Sequence, residues 1–123
     1  MKSDLFDTYV EEAIDNIPEP FIDKIQNVVF KVEDKPTPGQ REKLGLKCCD
    51  ALFGLYEGVP LTERGGVEHS KVPDVITVFK YPMIHMHKSV LELRKHIYKT
   101  IWHEVAHYFG LDHDRIHAAE RKL

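Results

Sequence analysis

Residues 88–113 join a helical apolar stripe to the string His103-Glu104-Val105-Ala106-His107-Tyr108-Phe109-Gly110-Leu111-Asp112-His113, and this pairing constrains the fold more than any other feature. Val90, Leu91, Ile97, Ile101, Val105 and Phe109 predict one long helix, about Lys88 to Phe109, with that face turned inward. Side chains four apart on a helix lie one above the other, which sets His103 and His107 together on a flank. Gly110 takes a left-handed conformation at no steric cost, so the helix is expected to end there and the chain to turn back.

Two imidazoles at that spacing form a ligand pair for a divalent metal ion. After the turn, His113 is the third ligand expected from spacing, with Asp114 and then Glu120 as alternatives. Three protein ligands leave a position open for water, as in catalytic rather than structural sites. Glu104 lies beside His103 and can reach such a water without being a ligand, so it is the candidate catalytic base. Zinc is the expected ion, on ligand type. With 8 His in 123 residues a bare HExxH is a moderate signal, and Gly110 and His113 make it far more specific. The competing structural reading is an amphipathic helix whose histidines are exposed or hydrogen-bonded in a core.

Upstream, Ser3 can cap a helix whose apolar positions are Phe6, Tyr9, Val10, Ala13, Ile14 and Ile17, ended by Pro18 and Pro20. Phe21 to Ile25 adds a possible further turn. Val28, Phe30 and Val32 predict a strand, and Leu52 to Tyr56 another. Gln40 to Leu44 is a weakly signalled turn of helix. Thr62 to Ser70, with Gly65-Gly66 at its centre, is read as a mobile loop. Val75 to Phe79, rich in β-branched residues, is the strongest strand. It is either an interior strand or an edge that pairs with an extended peptide. Strands and helices mix without regular βαβ alternation, so an α+β fold is expected, a small mixed sheet covered by long helices.

Outside the string, Tyr81, His85 and His87 are candidates to stabilise an oxyanion, and His85 and His87 also form an HxH pair. His96, two turns before His103 on nearly the same face, is read as structural. Asp112 or Asp114 is a candidate to orient a ligand imidazole. The adjacent Cys48 and Cys49 cannot pair without strain and are read as reduced packing residues.

A length of 123 residues predicts one domain over residues 1–123. There is no apolar run of membrane-spanning length and no signal-peptide pattern at Met1-Lys2-Ser3-Asp4, so a cytoplasmic protein with no membrane partner is expected. A net charge of −3 argues against nucleic acid as the main partner. Lys88, Lys95 and Lys99 around Glu92 read as a solvated helix face.

A second string, Leu52-Phe53-Gly54-Leu55-Tyr56-Glu57-Gly58-Val59-Pro60-Leu61-Thr62-Glu63-Arg64-Gly65, precedes Pro73-Asp74-Val75-Ile76-Thr77-Val78-Phe79 and the HExxH segment. In this order the three resemble the small bacterial zincin-like metallopeptidases, the minimal zincins, over about Val28 to Arg115. The resemblance implies a small α+β domain with zinc at the helix of His103 and His107, Glu104 as general base, and peptides or proteins as substrates. That family often carries a carboxylate near the third-ligand position, where this chain has His113 between Asp112 and Asp114. The metzincins, which share the extended string, place a methionine turn after the third His; here Met1, Met83 and Met86 all precede it. Either the site lacks that floor or the segment around Met83 and Met86 supplies it. A rival resemblance is to the endoribonucleases of ribosomal RNA maturation, which use HxxxHxxGxxH but commonly carry Gly where this chain has Glu104. A third possibility is a non-catalytic zinc-binding module.

Overall fold

The computed structural model describes residues 3–19, 21–45, 52–58 and 73–111. The elements run α1 (Ser3–Asp15), α2 (Phe21–Lys24), β1 (Val28–Glu33), α3 (Pro38–Lys43), β2 (Gly54–Glu57), β3 (Asp74–Phe79), α4 (Lys80–Met86) and α5 (Val90–Tyr108). The fold is α+β, as the sequence predicts. Cys48, Cys49 and the Thr62 to Ser70 loop lie outside the described residues.

The sheet order is β1-β3-β2, with β1 parallel and β2 antiparallel to β3. Val75 to Phe79 therefore belongs to the central strand, not to an edge. It pairs from Val28↔Asp74 to Glu33↔Phe79 on one side and from Gly54↔Val78 to Glu57↔Val75 on the other. Its continuous apolar character follows from that position: Ile76, Val78 and Phe79 are all buried. β1 alternates as expected, with Val28, Phe30 and Val32 half-buried and Val29, Lys31 and Glu33 exposed. The second strand begins at Gly54, two residues later than Leu52.

α5 packs across β2 and β3 on one side and against α1 on the other. Phe6, Val10, Ala13 and Ile17, from α1 and the turn after it, meet Ile97, Ile101, Trp102 and Val105 from α5 in one apolar cluster. Each fully buried large side chain contributes roughly 1.5–3 kcal/mol through lost water contact. The inward stripe of α5 differs from the predicted one at its start. Val90 and Leu91 are 49% and 61% exposed, and Leu93 is buried instead. In the first turn of α5 Leu93 therefore faces the core, while Val90 and Leu91 face outward.

Ser89 caps α5 by accepting a hydrogen bond from the Glu92 N–H. At the other end Gly110 has φ +74°, its N–H reaches the His107 carbonyl, and the Leu111 N–H reaches that of Ala106. These two bonds make a Schellman motif, which stops the helix just after the second histidine.

Two short helices are faint or absent in the sequence pattern. α3 is fixed by a reciprocal capping box: Thr37 Oγ1 accepts from the Gln40 N–H, and Gln40 Oε1 accepts from the Thr37 N–H. Its signal is the spacing Thr37-Pro38-Gly39-Gln40, with Pro at the first helical position. α4 follows β3 without a loop and tolerates Pro82 because first-turn N–H groups have no helical partner. No helix among the described residues is long and apolar enough to cross a membrane.

Candidate metal site

The final two turns of α5 carry His103, Glu104 and His107, each offering one ligand atom within 4.8 Å of the others. The two imidazoles meet edge to face at 4.7 Å between ring centroids. Both rings are half-buried, reachable by an ion yet partly shielded from water. Neutral nitrogen donors paired at i and i+4 beside a carboxyl suit a borderline divalent cation such as zinc. The residues present therefore fit a metal ion.

Glu104 is only 9% exposed, which is costly for a carboxylate. Burial pushes its carboxyl up to about 7, and the Tyr56 N–H pulls in the opposite direction more weakly. That N–H belongs to β2 and donates to Glu104 Oε1 at 3.0 Å. Oε2 has no hydrogen-bond partner among the described residues. Tyr56 is anchored in turn, its hydroxyl donating to Asp74 Oδ2 at 2.7 Å.

β2 comes close enough to α5 for this contact because residue 54 has no side chain. A Cβ there would lie 2.5 Å from Thr100 Cγ2 and 3.4 Å from Glu104 Cγ. Between the two elements lies an open cleft of about 330 Å³, bounded by Phe53 and Gly54 on one side and by His96, Thr100, His103 and Glu104 on α5. Tyr56, Gly54 and His96 are not marked as site residues by any sequence motif. Only the facing of β2 on α5 brings in Tyr56 and Gly54, although Gly54 within a strand-like run hints at a close backbone approach; His96 shares α5 with His103.

The other residues singled out from the sequence are dispersed. His113, Asp112, Asp114 and Glu120 lie outside the described residues. Tyr81 is exposed on α4 and stacks with His85 at 6.1 Å. His87 instead turns to His96, with Nε2 and Nδ1 2.7 Å apart, so His85 and His87 do not act as a pair. Met83 is fully buried in the core, whereas Met86 points to solvent.

No curated protein matches this chain. Among solved structures, a conserved hypothetical protein from Thermo thermophilus is similar at a TM-score of 0.60 and 20% identity, covering 89% of this chain and 94% of that one. That likeness concerns the fold alone. A model of the zincin-like metallopeptidase family matches residues 25–123, which takes in the sheet, the cleft and the whole HExxH helix. The chain belongs to the zincin-like metallopeptidase family.

Proposed function

We propose that this protein is a zinc-dependent peptidase in which His103 and His107, joined by His113, hold the ion and Glu104 moves the proton. The observation that carries this reading is the cluster of two imidazoles and one buried carboxyl on α5, of which His103 and Glu104 line a cleft beside the outer strand β2. Zinc held there supplies Lewis acidity toward a peptide carbonyl and an attacking water. Glu104 supplies the rest. Burial raises the proton affinity of the Glu104 carboxyl, which suits a group that must take up a proton. Its Oε1 is pinned by the Tyr56 N–H, which leaves Oε2 to accept a proton from water and pass it to the departing amine. β2 has no further strand paired on its outer side among the described residues, so an extended peptide can lie along it. A buried glutamate tied to the sheet also favours this reading over the endoribonuclease, whose pattern commonly has Gly at that position.

The test is metal content by elemental mass spectrometry on protein purified without a metal-affinity tag, together with a quenched fluorescent peptide library. One zinc per chain, with cleavage lost in Glu104→Gln while zinc is retained, supports the proposal. A wild type that stays metal-free after zinc is added sinks it.

A further inference from the structure

Outside the metal cluster, two histidines from different elements meet at the far end of the same cleft. His87 follows α4, and its Nε2 lies 2.7 Å from Nδ1 of His96 on α5. The two rings are edge to face at 4.8 Å, and Phe53 closes on the other side of His96 at 4.6 Å. Behind His87, Glu92 Oε2 stands 3.9 Å from Nδ1. The chain of contacts thus runs from a carboxylate through one imidazole to a second, which lines the cleft with His103 and Glu104.

The His87–His96 contact admits two hydrogen-bond arrangements. In one of them His87 donates from Nε2 to His96 Nδ1. His96, accepting at Nδ1, must then carry its own hydrogen on Nε2. Burial, then His87 and Lys99, lower the pKa of His96 and keep its ring neutral. Nε2 has no hydrogen-bond partner among the described residues. In that arrangement the ring, held by two aromatic neighbours and one hydrogen bond, offers an N–H that no described residue accepts.

We propose that His96 is a substrate-positioning donor, held by His87 and directed at a backbone carbonyl of a peptide bound in the cleft. The proposal rests on the peptidase reading above. His96 precedes His103 by seven residues, about 10 Å along the helix axis. An extended peptide covers that distance in about three residues. The carbonyl that His96 meets is therefore remote from the scissile bond, and the effect falls on binding more than on the chemical step.

The test uses the zinc-loaded full chain and two non-hydrolysable probes, a hexaalanine analogue with a central phosphinate and the corresponding dipeptide phosphinate. Their affinities are measured by calorimetry for the wild type, His96→Phe, His96→Gln and His87→Phe. His96→Phe should bind the long probe about three- to tenfold more weakly, the worth of one hydrogen bond, and the short probe unchanged. His96→Gln, which returns an N–H near the same place, should recover most of the loss. Nitrogen-15 spectra should show the Nε2–H tautomer of His96 in the wild type and a mixture in His87→Phe, a signature that a packing role would not produce. Wild-type affinity of His96→Phe for the long probe would overturn the donor role and leave the peptidase reading standing. A second zinc per chain, lost in His96→Phe, would assign the pair to metal binding and also overturn it. Failure of both probes to bind the zinc-loaded wild type would overturn the peptidase reading, and this proposal with it.

Discussion

Gly54 passes Thr100 so closely that a Cβ on residue 54 would stand 2.5 Å from Thr100 Cγ2, and this approach is what lets β2 reach Glu104. The sheet and the helix that carries His103 and His107 are thereby set at a separation that no other residue at position 54 permits without movement. The general base candidate is held by backbone rather than by another side chain, because the Tyr56 N–H is its donor.

Gly54→Ala should push β2 away from α5 and cost about 1–3 kcal/mol, the usual range for overpacking. The double variant Gly54→Ala/Thr100→Ser removes the offending methyl and should recover more than half of that loss. Urea unfolding of these proteins and of Thr100→Ser alone measures the coupling. Additive losses would mean that Thr100 is not the obstacle.

Glu104 makes the stability of the metal-free chain depend on pH in an unusual direction. Its folded pKa, about 7, is above the ordinary 4.5. The native state therefore binds more protons than the unfolded one between those values, and stability falls as pH rises through that window. The contribution is fully present below about 4.5 and is lost above 7, a total of about 3 kcal/mol. Glu104→Gln lacks this titration. Relative to wild type, the metal-free variant should gain stability between pH 5 and pH 8 in urea titrations. A constant difference across that range would contradict the burial argument.

Removing one imidazole should separate metal binding from folding. His107→Ala should lose stoichiometric zinc, and zinc at a hundredfold excess over the wild-type Kd should no longer add about 2.7 kcal/mol of stability. Glu104→Gln should keep that increment. Thermal melts with zinc and with chelator read both effects. Parallel melts of His113→Ala and Asp114→Ala identify the third ligand.

Gly110 has φ +74°, a conformation that costs a Cβ-bearing residue roughly 1–2 kcal/mol. Gly110→Ala should destabilise the chain by about that amount, whereas Gly110→Asn should cost less because Asn tolerates the left-handed region. Equal losses in denaturant titrations would show that the Schellman turn is not what the position requires.

Trp102, the sole tryptophan, is fully buried, and its indole N–H has no partner among the described residues. An orphaned donor offsets part of what the ring contributes by packing. Trp102→Phe should therefore cost no more than about 2 kcal/mol, compared with about 3–5 for Trp102→Ala. The native fluorescence should be blue-shifted and move red on unfolding. A Phe variant as unstable as the Ala variant would show that the indole is needed whole.

Local rules carry much of the fold. The stripe from Phe6 to Ile17, the alternation at Val28 to Val32 and the β-branched run before Phe79 each state a period, and a period states an element. Capping signals are as legible: Gly110 ends α5, and Pro18 follows the end of α1. The box at Thr37 and Gln40 is equally local and simply has less apolar pattern to draw attention. Val90 and Leu91 mislead because they are apolar yet face outward, and the core takes Leu93 instead.

By itself the sequence determined the His103-Glu104-His107 cluster, since residues one and four apart on one helix have a fixed relation whatever surrounds them. It also determined the family, through three strings in one order. Only the tertiary structure decided that β3 is central and β2 outermost, because strand order depends on pairings between residues far apart in the chain. It alone set the Tyr56 N–H on Glu104, 48 residues away, and His87 on His96 from a separate element. Those contacts have no sequence period; they exist because the sheet is packed against α5 closely enough for Gly54 to touch Thr100.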